Sequence, residues 1–251
     1  PQGAGCDMGA YEAQFIDTDQ DGVDNIVENG AANNGDGNND GLADRQQANV
    51  TSLPNAVDGA YLTLAAPAGI TLRAVEASPV PTLPQTLDAT FPVGLVGFTI
   101  QGLTPGAAVD VTLYLPAAVT INSYYKYGPP STIEPATLYD FGFNGTTGAE
   151  ILSDRIILHL VDGQRGDDDW SANGTLVDPG AAAFTANTAP VITADGATIT
   201  VNEGATASNS GAVSDGEGDT VMLNATVGTV VTNNDGTWSW TYAASDGPVE
   251  S

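Results

Sequence analysis

Hydrophobic and polar residues alternate at every second position in several segments of the chain. In 109–115, Val, Val, Leu and Leu alternate with Asp, Thr and Tyr, and in 155–160, Ile156, Leu158 and Leu160 share one face. A period of two is that of a β-strand with one buried face. Shorter segments of this kind, and a Gly- and Pro-containing turn, occur at 61–64, 97–100 and 102–106.

These segments predict an all-β protein. Short strands separated by turn signals predict an antiparallel β-sandwich over residues 48–183. In residues 184–251, Trp238, Trp240 and Tyr242 fall on one face of a strand, and we expect a second, incomplete Ig-like β-sandwich there. The composition agrees, because 30 Gly and 15 Pro favour turns and long runs of the better helix formers are absent.

Two acidic stretches precede the predicted sandwich, within residues 15–47. Each carries side-chain oxygens at its first, third, fifth, ninth and twelfth positions and a glycine at its sixth. Calcium takes about 6–8 oxygen ligands, and glycine permits the sharp turn that such a loop needs. The candidate ligands are Asp17, Asp19, Asp21, Asn25 and Glu28 with the carbonyl of Val23, and then Asp36, Asn38, Asp40, Asp44 and Gln47 with the carbonyl of Leu42.

The alternative for these stretches is a solvated acidic linker, since acidic runs rich in Gly and Asn are often disordered. The spacing repeats with glycine in register both times, which favours calcium. Gln47 stands where a bidentate Glu is typical, so the second stretch has the poorer ligand set.

Two further acidic groups are candidate calcium ligands. One consists of Asp162, Asp167, Asp168 and Asp169, joined by Asp178, and the alternative there is a solvated hairpin tip. Clustered carboxylates repel one another unless a cation lies among them. The other consists of Asp215, Glu217 and Asp219, in a turn with the residue types of a calcium site.

Composition excludes several classes of function. The formal net charge of -26 predicts repulsion from nucleic acid and anionic lipid. Cys6 is the sole cysteine, so no disulfide framework forms within the chain. No apolar run is long enough to span a bilayer. His159 is the sole histidine and no Gly-x-Ser-x-Gly motif occurs, so we predict no catalytic residues and no enzyme activity.

Several motifs resemble those of bacterial surface proteins. The paired acidic stretches resemble thrombospondin type 3 repeats, and residues 5–12 (GCDMGAYE) resemble the closing rung of a parallel β-helix. Residues 48–183 are similar to the choice-of-anchor U domain, which implies export, surface display and no catalysis. The stretches that carry this similarity are QQANVTSLP at 46–54, FPVGL at 91–95, GLTPG at 102–106, YYKYG at 124–128, NGTTGAE at 144–150, VDGQRGDDD at 161–169, NG at 173–174 and VDPG at 177–180.

The C-terminal region, 184–251, resembles part of a bacterial Ig- or cadherin-like repeat through VNEG at 201–204, SDGEGD at 214–219 and DGTWSWTY at 235–242. Such repeats continue for one or two more strands. Either the chain is a fragment, or a strand from another molecule completes the sheet. Segment 1–14 is the candidate donor strand, and the exchange would build a head-to-tail polymer. The alternative for 1–14 is a frayed tail.

We therefore predict a non-enzymatic, calcium-stabilised structural segment of a secreted or cell-surface bacterial protein: a stalk, an adhesin or a filament subunit. Its expected partners are other copies of itself or neighbouring domains of the same surface protein, and not nucleic acid. The alternative is a polysaccharide-binding or accessory module of a secreted hydrolase, in which Tyr124, Tyr125 and Tyr127 with Lys126 would face a glycan.

Overall fold

The computed structural model describes residues 15–82, 87–216 and 219–245. The chain divides into two compact units, one ending at Thr185 and the other beginning at Ala186. The predicted donor segment 1–14 and the candidate ligand Glu217 lie outside the described residues.

Strands dominate both units, and every pairing between named strands is antiparallel. The prediction of an all-β protein is confirmed. The elements are α1 (Asn25–Glu28), α2 (Ala32–Gly35), a 3-10 turn (Asp44–Gln46), β1 (Val50–Pro54), β2 (Tyr61–Ala65), β3 (Thr71–Ser78), β4 (Ala89–Thr90), β5 (Leu95–Gln101), β6 (Ala108–Tyr114), β7 (Ser123–Gly128), β8 (Thr137–Asp140), β9 (Gly148–Ile151), β10 (Arg155–Val161), β11 (Thr175–Thr185), β12 (Val191–Ile192), β13 (Thr206–Ser214), β14 (Thr229–Thr232) and β15 (Thr237–Ala243).

The first unit contains two sheets. One has the order β1-β2-β6-β10-β9, and the other has the order β3-β5-β11-β7-β8, with β4 paired to β11. A single buried cluster takes side chains from both sheets. The alternation predicted for 109–115 and 155–160 is confirmed, because Val111, Leu113 and Leu158 are among the side chains buried in this cluster.

Residues 15–47 pack against the sheets of the first unit. The side chain of Val23 is buried in the hydrophobic cluster, and Val27 packs against it. The Tyr61 hydroxyl of β2 donates to the Val27 carbonyl at 2.6 Å, whereas Ile26 stays exposed. The acidic stretches are therefore held on the surface of the β-structure and do not form an extended tether.

The second unit contains one sheet of order β12-β13-β15-β14. On β15 the rings of Trp240 and Tyr242 stack with centroids 6.2 Å apart, and Trp238 is buried. The placement of these aromatics on a strand is confirmed. Within the described ranges, no helix has the length and apolar character needed to cross a membrane.

Candidate metal centre

The first acidic stretch folds into a tight loop that brings three carboxylates together. Gln20 and Gly22 have positive φ angles of 67° and 106°. The Asp17 carboxylate accepts hydrogen bonds from their backbone N–H groups, at 2.6 Å and 3.0 Å. Carboxylate oxygens of Asp17, Asp19 and Asp21 then lie within 4.8 Å of one another, and no other such acidic group occurs in the described part of the chain.

Helix α1 places Glu28 near enough to this group for the aspartate charges to act on its carboxyl. Asp24 caps this helix by accepting from the Ile26 N–H at 2.7 Å. Glu28 has no exposed surface, and neither of its carboxylate oxygens has a hydrogen-bond partner among the described residues. Burial, together with the charges of Asp21, Asp19, Asp44 and Asp17, raises the pKa of Glu28 to about 9.

Asp19 and Asp21 differ in how they are satisfied. Neither oxygen of Asp19 has a hydrogen-bond partner in the described part of the chain, and burial and the charge of Asp21 raise the pKa of Asp19 to about 7. Asp21 accepts from the Val23 N–H at 2.8 Å and from the Thr51 hydroxyl of β1 at 2.5 Å. Burial still raises the pKa of Asp21 despite these two donors. The loop thus holds more negative charge than its hydrogen bonds compensate.

The first acidic loop packs against a β-bulge-like irregularity in β3. The register between β3 and β5 shifts between Arg73 and Glu76, and Ala74 has a positive φ of 48°. The Val75 N–H donates to the Asp21 carbonyl at 2.9 Å. The Arg73 guanidinium donates to the carbonyl of Asp19 at 3.0 Å and to that of Gln20. Arg73 therefore binds the loop backbone, where Asp21 is buried and Asp17 and Asp19 are half-buried.

The second acidic stretch repeats the geometry of the first. Gly41 has a φ of 92°, and Asp36 accepts from the N–H groups of Asp40 and Gly41 at 3.0 Å and 2.9 Å. Asp40 accepts from the Leu42 N–H at 2.9 Å, as Asp21 does from Val23. The glycine positions predicted from the spacing have the left-handed conformation that the prediction requires.

Asp44 joins the two stretches. It is the ninth residue of the second loop, is fully buried, and accepts from the Gly37 N–H at 2.9 Å through one oxygen. Its other oxygen has no hydrogen-bond partner within the described ranges, and burial raises the pKa of Asp44. Its charge also raises the pKa of Glu28, so the two carboxylates belong to one electrostatic cluster. Sequence reasoning assigned them to separate sites, and no spacing signal links them.

The remaining predicted ligands of the two loops lie nearer the surface or hold the loop backbone. Asn25 accepts from the Thr18 N–H at 3.0 Å and donates to the Thr18 hydroxyl at 2.7 Å. Asn38 and Gln47 donate amide hydrogen bonds to Asp40, at 3.0 Å and 3.3 Å. The Leu42 side chain is exposed.

The second predicted acidic group is not among the carboxylate sets that lie within 4.8 Å of one another in the described ranges, and calcium binding there stays a prediction. Asp162 accepts from the N–H groups of Gly106 and Gly174 at 2.7 Å and 2.9 Å. Asp167 likewise accepts from two backbone N–H groups, at 2.8 Å and 3.1 Å. Asp169 is exposed and accepts from the Ser171 N–H at 2.8 Å and the Asn173 amide at 2.8 Å. These three carboxylates tie turns together, whereas Asp178 contacts the buried Lys126 and the charge of Lys126 acts on Asp168.

Asp215 and Asp219 contact each other in the second unit, where the Asp219 N–H donates to the Asp215 carboxylate at 3.1 Å. Both line a polar cavity of about 500 Å³ that also contacts Thr232 and Asn233. Calcium binding by these residues stays a prediction.

The predicted glycan-facing residues are largely occupied within the fold. Tyr124 and Lys126 are buried, and Tyr125 packs edge-on against Phe91 with ring centroids 5.7 Å apart. His159 lies on β10 between Asp110 at 2.8 Å and Glu150 at 3.4 Å, against the ring of Phe143.

Comparison of the chain with protein-family models, with curated proteins and with solved structures found no match. The resemblances noted from the sequence motifs therefore stay predictions.

Proposed function

We propose that the acidic loops of residues 17–47 bind Ca²⁺ and that the ion fixes them on the first β unit. The observation that carries this proposal is the set of buried carboxylate oxygens on Asp19, Glu28 and Asp44 that lack hydrogen-bond partners. Burying unpaired charge is costly. A hard divalent cation that prefers oxygen ligands removes that cost.

Asp17, Asp19, Asp21 and Glu28 would hold the ion, with Asp44 contributing charge from the second loop. Calcium would supply positive charge beyond that of Arg73, whose guanidinium hydrogen-bonds to loop carbonyls and whose charge opposes the raised pKa of Asp21 only in part. The second loop repeats the backbone geometry of the first and is the candidate for a further ion. We restrict the proposed centre to residues 17–47.

The function that follows is structural and non-enzymatic. We infer that the two sheets of the first unit are the layers of a β-sandwich and that the second unit is an Ig-like repeat. Bound calcium would stiffen the entry to the first unit, as a secreted or surface-displayed stalk, adhesin or filament subunit requires. The acidic composition and the motif resemblances support this assignment.

The test is a calcium titration by calorimetry together with thermal melting of the chain in calcium, in magnesium and in EGTA. We expect saturable calcium binding and a higher melting temperature in calcium, because a ligand that binds only the folded state stabilises it. Asp19→Asn should weaken calcium affinity by about tenfold or more. Asp88→Asn, at an exposed aspartate outside the loops, is the matched control and should bind as the parent does. Equal melting temperatures in calcium and in EGTA would contradict the proposal.

A further inference from the structure

A buried lysine and a buried aspartate lie on neighbouring central strands of the second sheet of the first unit. Lys126 is on β7 and Asp178 is on β11, and the register pairs Lys126 with Gly180. Residues 178 and 180 share a face of β11, so the two side chains meet diagonally across the pair. Neither has any exposed surface, and Lys126 Nζ contacts Asp178 Oδ1 directly.

The surroundings of this pair are apolar and incompletely hydrogen-bonded. Lys126 Nζ lies 5.6 Å from the centre of the Phe141 ring and donates to the Gly166 carbonyl at 2.6 Å. Asp178 Oδ2 has no hydrogen-bond partner among the described residues, and neither does the buried Tyr124 hydroxyl. Burial raises the pKa of the Asp178 carboxyl, although Lys126 opposes the shift.

A second carboxyl, that of Asp168, lies against the two strands that carry the pair. Asp168 Oδ1 is buried without a hydrogen-bond partner among the residues that the structure describes, and it lies against Gly128, two residues along β7 from Lys126. The Asp168 N–H donates to the carbonyl of Val177, the residue before Asp178, at 3.2 Å. Burial raises the pKa of Asp168 to about 6, and the charge of Lys126 opposes this shift.

We propose that Lys126 and Asp178 condense into an intramolecular isopeptide bond, with Asp168 as the proton carrier. One proton passes from Nζ to the Asp178 carboxyl, which turns the ion pair into an amine and a carboxylic acid. The Nζ lone pair attacks Cγ of Asp178 and a C–N bond forms. Asp168 takes a proton from the nitrogen and returns it to the departing hydroxyl, so the Cγ–O bond breaks and one water leaves.

The contact between the two side chains and their apolar surroundings both favour the condensation. Two reacting groups held in contact behave as if at very high concentration. An apolar environment disfavours separated charges, and a positioned carboxyl can move the proton. The reaction needs no oxidant, cofactor or further reactant. Its product would join β7 to β11 covalently and close a loop over residues 126–178.

The chain offers a clean test, because Lys126 is its only lysine. The intact mass of the full chain, measured after unfolding, should be lower than the sequence mass by one water. An amine-reactive label applied to the unfolded chain should reach only the N-terminal amine. Trypsin should fail to cut after Lys126, and fragment spectra should show the segments around Lys126 and Asp178 joined.

Lys126→Arg keeps the positive charge but lacks the amine, and it should have its full sequence mass. Asp168→Asn should also keep its full mass, with a circular dichroism spectrum like that of the parent to show that it folds. A parent chain of full mass with a labelled Lys126 would overturn the proposal and leave an ordinary ion pair. Loss of water in Asp168→Asn would overturn the role given to Asp168.

Discussion

Carboxylates that are neighbours in sequence have different environments in the first acidic loop. Asp21 accepts hydrogen bonds from the Thr51 hydroxyl and the Val23 N–H, whereas Glu28 is buried with no donor to either oxygen in the described part of the chain. A hydrogen-bonded carboxylate tolerates burial, and an unpaired one shifts towards its neutral form. If the loops bind calcium as proposed, Glu28 is therefore the residue at which calcium and protons would compete most directly.

Substituting Glu28→Gln should have opposite effects with and without calcium. At neutral pH in EGTA we expect the variant to be more stable by about 1–3 kcal/mol, because folding no longer requires a buried charge or proton uptake at this position. In calcium the stabilisation by the ion should shrink, since a charged ligand is lost. Denaturant unfolding measures both effects. Glu203→Gln, at an exposed glutamate of the second unit, should change neither. Equal destabilisation of Glu28→Gln in both buffers would contradict the metal role of Glu28.

At the scale of elements, the first loop and the irregular part of β3 fit together. The positive φ of Ala74 turns the Val75 N–H towards the loop, where it binds the Asp21 carbonyl. Gly22 lies so close to β3 that an added Cβ would be 3.1 Å from the Ala74 Cα. Gly41, at the same position of the second loop, has nothing within 4 Å of such a Cβ.

The two glycines therefore give a matched pair of substitutions. Gly41→Ala should cost about 1–2 kcal/mol, because alanine is strained at positive φ. Gly22→Ala should cost more, since the same strain is joined by crowding against the β3 backbone. Denaturant unfolding in calcium measures the loss of stability in each variant. Equal losses of unfolding free energy would show that the contact between the first loop and β3 does not limit stability.

At the scale of the whole molecule, acidic residues far outnumber basic ones, 31 to 5. Many of the acidic side chains are exposed to solvent, but several of those in residues 17–47 are buried. The pKa of Glu28 rises from 4.5 to about 9 and that of Asp19 from 3.8 to about 7. A carboxyl whose pKa is raised by folding favours the folded state when protonated, and this contribution is lost as the pH rises through the folded-state pKa.

The melting temperature in calcium-free buffer should therefore fall as the pH is raised from about 5 to about 9. With saturating calcium the trend should weaken or reverse, because the ion displaces the protons and binds better to ionised carboxylates. Thermal melting across this pH range in both buffers measures the difference. In calcium-free buffer, Glu28→Gln should have a flatter profile than the parent. A parent profile without slope in calcium-free buffer would contradict the buried-carboxylate account.

The sequence by itself determined the features that depend on local spacing. Alternation at 109–115 and 155–160 identified buried strand faces, and the glycines of the two acidic loops marked left-handed turns. These patterns are readable because strand pleating and the missing Cβ of glycine act within a few residues.

Tertiary structure decided which of the many acidic side chains are buried and what lies beside them. It brought Asp44 of one loop to Glu28 of the other, turned Asp168 inward while Asp169 stayed exposed, and placed Lys126 against Asp178. Strand order and sheet packing set these distances between remote segments. Spacing along the chain does not encode them, because side chains far apart in sequence meet only through the folding of the intervening strands.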